Sequence, residues 1–160
     1  MRVTDTHIYF WGSFLSNWIP NDLEIKYCDA IFTNSEQIFM FLKAIFFHDE
    51  EMAEKIIEEG YDPRIAKKLG GQVRNFKESE WAMVREDKMY QACKMKFAWN
   101  PKLRKQLLDT GDKILVEGTP FDPIWGVKIK WDDDRILDEK NWKGQNLLGK
   151  VLMRVRNDLQ

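Results

Sequence analysis

The stretch Thr33-Asn34-Ser35-Glu36-Gln37-Ile38-Phe39-Met40-Phe41-Leu42-Lys43-Ala44 begins polar and runs on through Ile45, Phe46 and Phe47 with almost no polar side chain. Asn34 or Ser35 can accept a hydrogen bond from the free N–H groups of a first helical turn, and Glu36 lies where the helix dipole favours a carboxylate. These residues predict the capped start of a helix. Its apolar residues face nearly all directions, the pattern of a helix buried on most sides. Glu36 and Lys43 are the exceptions. Seven residues advance a helix by about 700°, leaving the two side chains roughly 20° apart in azimuth and about 10 Å apart along the axis. They share a face without touching. Two readings follow: both lie on a solvated stripe, or they flank a cavity able to hold a small polar ligand.

Outward from this stretch, the 160 residues suffice for one ordinary domain with its own apolar core. Lys and Arg number 25 against 26 Asp and Glu, a net charge of −1, which supplies no global attraction for nucleic acid or an anionic membrane. A bound phosphate must then be held by a local site. Cys28 and Cys93 are isolated, and only His7 and His48 could add imidazole ligands. No metal-ligand pattern results, and neither a metal nor a cofactor is expected. No signal-like segment opens the chain and no apolar run approaches membrane length, so the expected location is the reducing cytoplasm, with no membrane partner. Seven tryptophans, several beside polar or glycine neighbours, offer flat stacking surfaces.

Ile8 to Trp11 reads as a strand ended by Gly12-Ser13, followed by a loop from Phe14 to Asn21. Leu23 to Tyr27 and Ala30 to Thr33 read as two brief antiparallel strands that deliver the chain to the central helix. Beyond it, His48-Asp49 caps a helix from Glu50 to Glu59 stopped by Gly60, and Asp62-Pro63 opens another, Arg64 to Leu69, closed by Gly70-Gly71. The longest helical pattern runs from Ser79 to Ala98, with Trp81, Met83, Val84, Met89, Ala92, Cys93, Met95, Lys96 and Phe97 toward the core. Asn100-Pro101 starts a helix continuing from Lys102 to Asp109, and Ile114 to Glu117 is a strand. The loop after it, Gly118 to Gly126, is too rich in Pro, Gly and aromatics to be mere connection. The charged segment Lys130 to Lys143 reads as a surface excursion, and Gly144-Gln145-Asn146 caps a last helix, Leu147 to Leu159. Helices dominate over short strands that do not alternate with them in a βαβ rhythm. The expected fold class is α+β, a single mainly helical domain with short strands.

Dinucleotide loops, Walker-type phosphate loops, paired histidines on a helix and nucleophile elbows are all missing from the sequence. What remains is a scattered polar and aromatic set: Ser16, Asn17 and Trp18 in the first loop, Glu36 and Lys43, Trp81, and Asp122, Trp125 and Gly126 in the late loop. Each has a plain structural role open to it. Glu36 can serve as a helix cap, Lys43 can extend its ammonium to water, Asp122 can initiate a turn, and the tryptophans can be core.

Taken together, Ser16-Asn17-Trp18-Ile19-Pro20, Ser35-Glu36-Gln37 with Lys43-Ala44, Pro63 to Gly70, Lys96-Phe97 with Asn100-Pro101, Leu107 to Gly111, Leu115-Val116-Glu117, Asp122-Pro123-Ile124-Trp125-Gly126 and Gly144 to Arg156 resemble the NADAR (YbiA-like) family, in order and across nearly the whole chain. Two positions depart from that pattern. Gly71 stands where the family often has arginine, a phosphate contact that Arg74 could replace, and Lys128 stands where it often has glycine. The resemblance implies an N-glycosidase that breaks a bond between ribose C1′ and nitrogen. Its substrate would be a small-molecule ribose phosphate or ADP-ribose derivative, such as an early riboflavin-pathway intermediate, or an ADP-ribosylated guanine base. Such a reaction builds positive charge on the sugar, which calls for a carboxylate near C1′ and a proton donor for the leaving base. The resemblance gives Glu36 the first role and Asp122 the second, with Lys43 binding the ligand or attacking an opened sugar as an amine. Ser16, Asn17 and Asn146 would supply hydrogen bonds, Trp18, Trp81, Trp125 and Gly126 would line the ligand, and Arg64 and Lys67 would meet phosphates. A non-catalytic ADP-ribose reader and a helical interaction domain without a pocket are the alternatives.

Overall fold

The computed structural model describes residues 1–19 and 24–160. Pro20 and Asn21 of the first loop and Leu23 of the expected strand lie outside them. In chain order the elements are β1 (Arg2–Val3), β2 (His7–Phe10), β3 (Ile25–Tyr27), β4 (Ala30–Phe32), α1 (Ser35–Phe46), α2 (Glu50–Glu59), α3 (Pro63–Gly70), α4 (Glu78–Trp99), α5 (Pro101–Leu108), β5 (Ile114–Glu117) and α6 (Leu147–Asp158). The fold is α+β. Residues 17–101 form one compact unit, here the middle unit, and residues 1–16 with 102–160 form another, the terminal unit.

In the middle unit α1 packs against α2, α3 and α4, and nine of its side chains from Ser35 to Ala44 are buried. Asn34 is its cap: the carboxamide oxygen accepts from Gln37 N at 2.8 Å, while its Nδ2 donates to Tyr61 O at 3.0 Å. Gln37 in turn donates to the last-turn carbonyls of Ile56 and Ile57, at 2.9 and 3.3 Å, binding α1 to the end of α2. Asp49 caps α2 and receives the Arg74 guanidinium, with Nε at 2.9 Å. The β3–β4 hairpin turns through Cys28 and Asp29, both left-handed with φ of 49° and 58°, as a two-residue hairpin requires. One expected core residue is not core. Met83 is 77% exposed, because α4 turns that position to water.

In the terminal unit β2 lies between an antiparallel β1 and a parallel β5, with Tyr9 opposite Arg2 on one side and Val116 on the other. Strand β1 was not expected, because its two residues are too few to show alternation. Helix α6 rests on β5. Gly149 is needed there, since a Cβ would fall 2.0 Å from Leu115 O. The segment 130–143 lies mostly exposed, as expected of a surface excursion, but it is anchored from within. Ile136 is fully buried with Tyr9, Val116, Val127 and Ile129, and Trp131 and Trp142 close over them. Its two short 3-10 turns, Asp134–Leu137 and Glu139–Asn141, present the charges outward. Lys128 adopts φ of 60°, a left-handed conformation that costs a side-chain-bearing residue about 1–2 kcal/mol. A glycine at that position would relieve that strain.

Candidate active site

The expected site residues divide between the units. In the middle unit Asn17 ties the start of α1 to α4. Its backbone oxygen accepts from Glu36 N at 3.3 Å, its side-chain oxygen accepts from Ser35 Oγ at 3.3 Å and from the Cys93 thiol at 3.5 Å, and its Nδ2 meets Met89 Sδ at 2.9 Å. Ser35, Asn17 and Glu36 are all buried, Glu36 with only 6% exposure. A carboxylate at that depth is costly unless charge or hydrogen bonding supports it, and the first turn of α1 supplies a favourable dipole. The solvated stripe is thereby excluded.

Lys43 is half-buried on the same helix. Its ammonium donates to Gly70 O at 2.8 Å and lies over the Phe76 ring, 4.1 Å from the centroid, with the Trp81 ring at 5.9 Å. Burial lowers its pKa, opposed by the Glu78 carboxylate. Trp81 is packed among Phe39, Phe46 and Phe47, with centroids 5.3 to 6.2 Å away. Trp18 is 41% exposed, and Lys67 of α3 reaches over its ring at 5.4 Å, so an aromatic face and a cation share one patch. Arg64 is clasped by the Asp62 carboxylate at 2.7 Å. Arg74, the possible substitute for a family arginine, spends its guanidinium on Asp49 and Glu51. Two cavities open in this unit, one of about 500 Å³ by the β3–β4 turn and Trp99, the other of about 600 Å³ between Phe46, Phe47, His48, Asn75, Lys77 and Glu80. Neither is lined by an expected site residue.

In the terminal unit the late loop is tied to the start of α6. Gln145 N, Leu147 N and Leu148 N donate to the carbonyls of Pro123, Ile124 and Trp125, at 2.9, 3.1 and 3.2 Å. Asp122 Oδ1 accepts from Ile124 N and Trp125 N at 2.8 and 2.9 Å, which builds the turn that holds the half-buried Trp125. Gly126 admits no side chain, as a Cβ would lie 2.4 Å from Thr119 Cγ2. Asn146 does not cap α6 with its side chain. It is left-handed, φ 53°, and its carboxamide bridges β5, donating to Leu115 O at 2.9 Å and accepting from Glu117 N at 3.0 Å. Ser16, at the edge of this unit, is buried, with its N–H on Ser13 O at 2.8 Å.

Lys96 was absent from the expected site. It is fully buried on α4, and burial pulls its pKa down to about 8. The sequence carried one sign of it, a lysine on a helix stripe otherwise made of Met89, Ala92, Cys93 and Phe97. Among the described residues no cluster of three or more His, Cys, Asp or Glu could hold a metal ion, and no helix is long and apolar enough to cross a membrane.

Comparison with known proteins assigns this architecture. The N-glycosidase R617 of Acanthamoeba polyphaga mimivirus is 36% identical, over 98% of each chain. Protein irg-1 of Caenorhabditis elegans is 42% identical over 90% of this chain and 74% of its own. The NMR structure of the E. coli protein YbiA superposes with a TM-score of 0.75 at 30% identity, covering 99% of this chain and 87% of YbiA. The model of the NADAR domain matches residues 9–160, which include nearly all of both units. This chain is a member of the NADAR family.

Proposed function

We propose that this chain is an N-glycoside hydrolase that cleaves the bond between ribose C1′ and nitrogen in a phosphorylated ribonucleoside. ADP-ribosylated guanine and phosphoribosylated riboflavin intermediates are its candidate substrates, met in the cytoplasm. The observation that carries this reading is Glu36, a carboxylate almost wholly removed from water in a chain similar over nearly its whole length to a viral N-glycosidase. As the glycosidic bond lengthens, positive charge grows on C1′ and the ring oxygen. Glu36 stabilises that charge and draws a proton from the attacking water, and that proton passes on to the departing base, so that one water adds across the broken C1′–N bond.

The remaining residues take roles that fit their surroundings. Asp122 holds the turn around Trp125 through one oxygen and orients the leaving base with the other, while Trp125 stacks on it. Trp18 and Lys67 receive a ring and a phosphate. Lys43 binds rather than attacks: a primary amine that donates to a carbonyl and sits on an aromatic ring is held as the ammonium. Asn17 and Ser35 fix the Glu36 backbone. The test is release of free base from ADP-ribosylated guanosine and from ribosylaminopyrimidine phosphates, with ligand binding followed by thermal shift. Glu36→Gln should bind as the parent does and release no base. Binding by the parent without release would identify a non-catalytic reader of the same ligands.

A further inference from the structure

The middle unit carries three arginines, Arg64, Arg74 and Arg85. The first two are exposed, and each closes the Nε–Nη2 edge of its guanidinium on a carboxylate, Arg64 on Asp62 and Arg74 on Asp49. Arg85 differs on both counts. Its side chain is only 12% exposed, on the stripe of α4 that faces α1. Trp81, one turn before it, packs on Phe39, and Met89, one turn after it, meets Asn17, whose backbone oxygen accepts from Glu36 N. Arg85 Nη1 donates to Glu78 Oε1 at 2.8 Å, while its Nε is buried and has no hydrogen-bond partner among the described residues. The edge that Arg64 and Arg74 fill thus lacks an acceptor at the Nε of Arg85. A buried donor without an acceptor costs free energy, and a guanidinium kept in that state is set to receive an anion.

Glu78 is the second part of the arrangement. It is 62% exposed, and its carboxylate also supports the Lys43 ammonium against the burial that lowers its pKa. Cations of α1 and α4 therefore share one solvated carboxylate, and a pair of that kind is weak enough to exchange for a stronger acceptor. We propose that Arg85 is a phosphate-binding residue of the ligand site on α1, and that Glu78 is a stand-in acceptor which a phosphate of the substrate displaces. The Nε–Nη2 edge then grips the phosphate oxygens, and Lys43 exchanges the Glu78 carboxylate for the same dianion. The site thereby prefers phosphorylated ribosides to bare nucleosides. This inference deepens the N-glycosidase reading and rests on it for the identity of the substrate.

The test is calorimetric binding of ADP-ribose and of inorganic pyrophosphate to the parent, Arg85→Gln, Glu78→Gln and the double variant. Arg85→Gln should weaken ADP-ribose binding by about tenfold or more, and Glu78→Gln should tighten it by about threefold, because the competing carboxylate is gone. In the double variant the gain from Glu78→Gln should vanish, which separates displacement from a general change of charge. A plain surface ion pair would leave both affinities within about twofold of the parent's, and that result overturns the proposal. So does a gain from Glu78→Gln that persists without Arg85, or a parent that binds neither probe at millimolar concentration. Should Arg85→Gln fail to fold, Arg85→Lys keeps the charge and loses the fork, and must still weaken binding by about threefold. A parent that binds ADP-ribose with these responses but releases no base removes the N-glycosidase reading and supports Arg85 as the phosphate contact.

Discussion

Lys96 makes the cost of a buried charge measurable as a pH dependence. Burial depresses its ammonium from the ordinary 10.5 to about 8, so between these values the unfolded chain binds a proton that the folded chain has released. Stability rises with pH wherever the unfolded state holds more protons. The parent should therefore gain on Lys96→Met by roughly 3 kcal/mol as the pH climbs from about 8 to 10.5, with the full penalty present below 8. Urea unfolding of both proteins at pH 7.5 and pH 10 reads that difference, and a gap that does not change would show that the amine is not desolvated. Glu36 and Lys43 show how far single residues can be read from sequence. Helical spacing placed both on one face, but periodicity does not report what covers that face. Glu36 proved to be held over Asn17, and Lys43 over Phe76 and Gly70, partners that lie 19 to 33 residues away.

At the level of elements the helices were legible because their punctuation is strong. Asp49, Gly60, Asp62-Pro63 and Asn100-Pro101 mark ends that the structure places within a residue or two. Asn34 does more than punctuate. Replacing it with alanine removes the cap to Gln37 N and the bond to Tyr61 O, and should cost about 1–2 kcal/mol in urea unfolding. The loop after α3 depends on Arg74, whose hydrogen bonds are the main reason the Asp49 carboxyl titrates below its ordinary range. Arg74→Ala should lower the urea midpoint at neutral pH. The deficit is full above the ordinary carboxylate range and closes as the pH falls below it, because the parent then protonates Asp49 and loses the same contact. Equal deficits at pH 7 and pH 2.5 would contradict that assignment. Segment 130–143 was legible only in part, for a related reason. Its charges pointed to a solvated excursion, yet one buried isoleucine and two half-buried indoles, each isolated in sequence, are what fasten it to the sheet.

For the whole molecule, the α+β class followed from element order, since helices dominated short strands without a βαβ rhythm. The parallel pairing of β2 with β5 did not, because its two strands are separated by more than a hundred residues and a short strand does not encode its partner. The same separation hid how the expected site residues fall between the two units. Asn17, Trp18, Glu36, Lys43 and Lys67 belong to the middle unit, and Asp122, Trp125 and Asn146 to the terminal one. In the sequence only the ordered run of family motifs, from Ser16-Asn17-Trp18 to Arg156, takes in both sets. The most direct measurement is chromatographic detection of free base from ADP-ribosylated guanosine and ribosylaminopyrimidine phosphates, comparing the parent with Glu36→Gln at matched fold and ligand binding. Base released by the parent and not by the variant is the expected result. Equal release by both would contradict it.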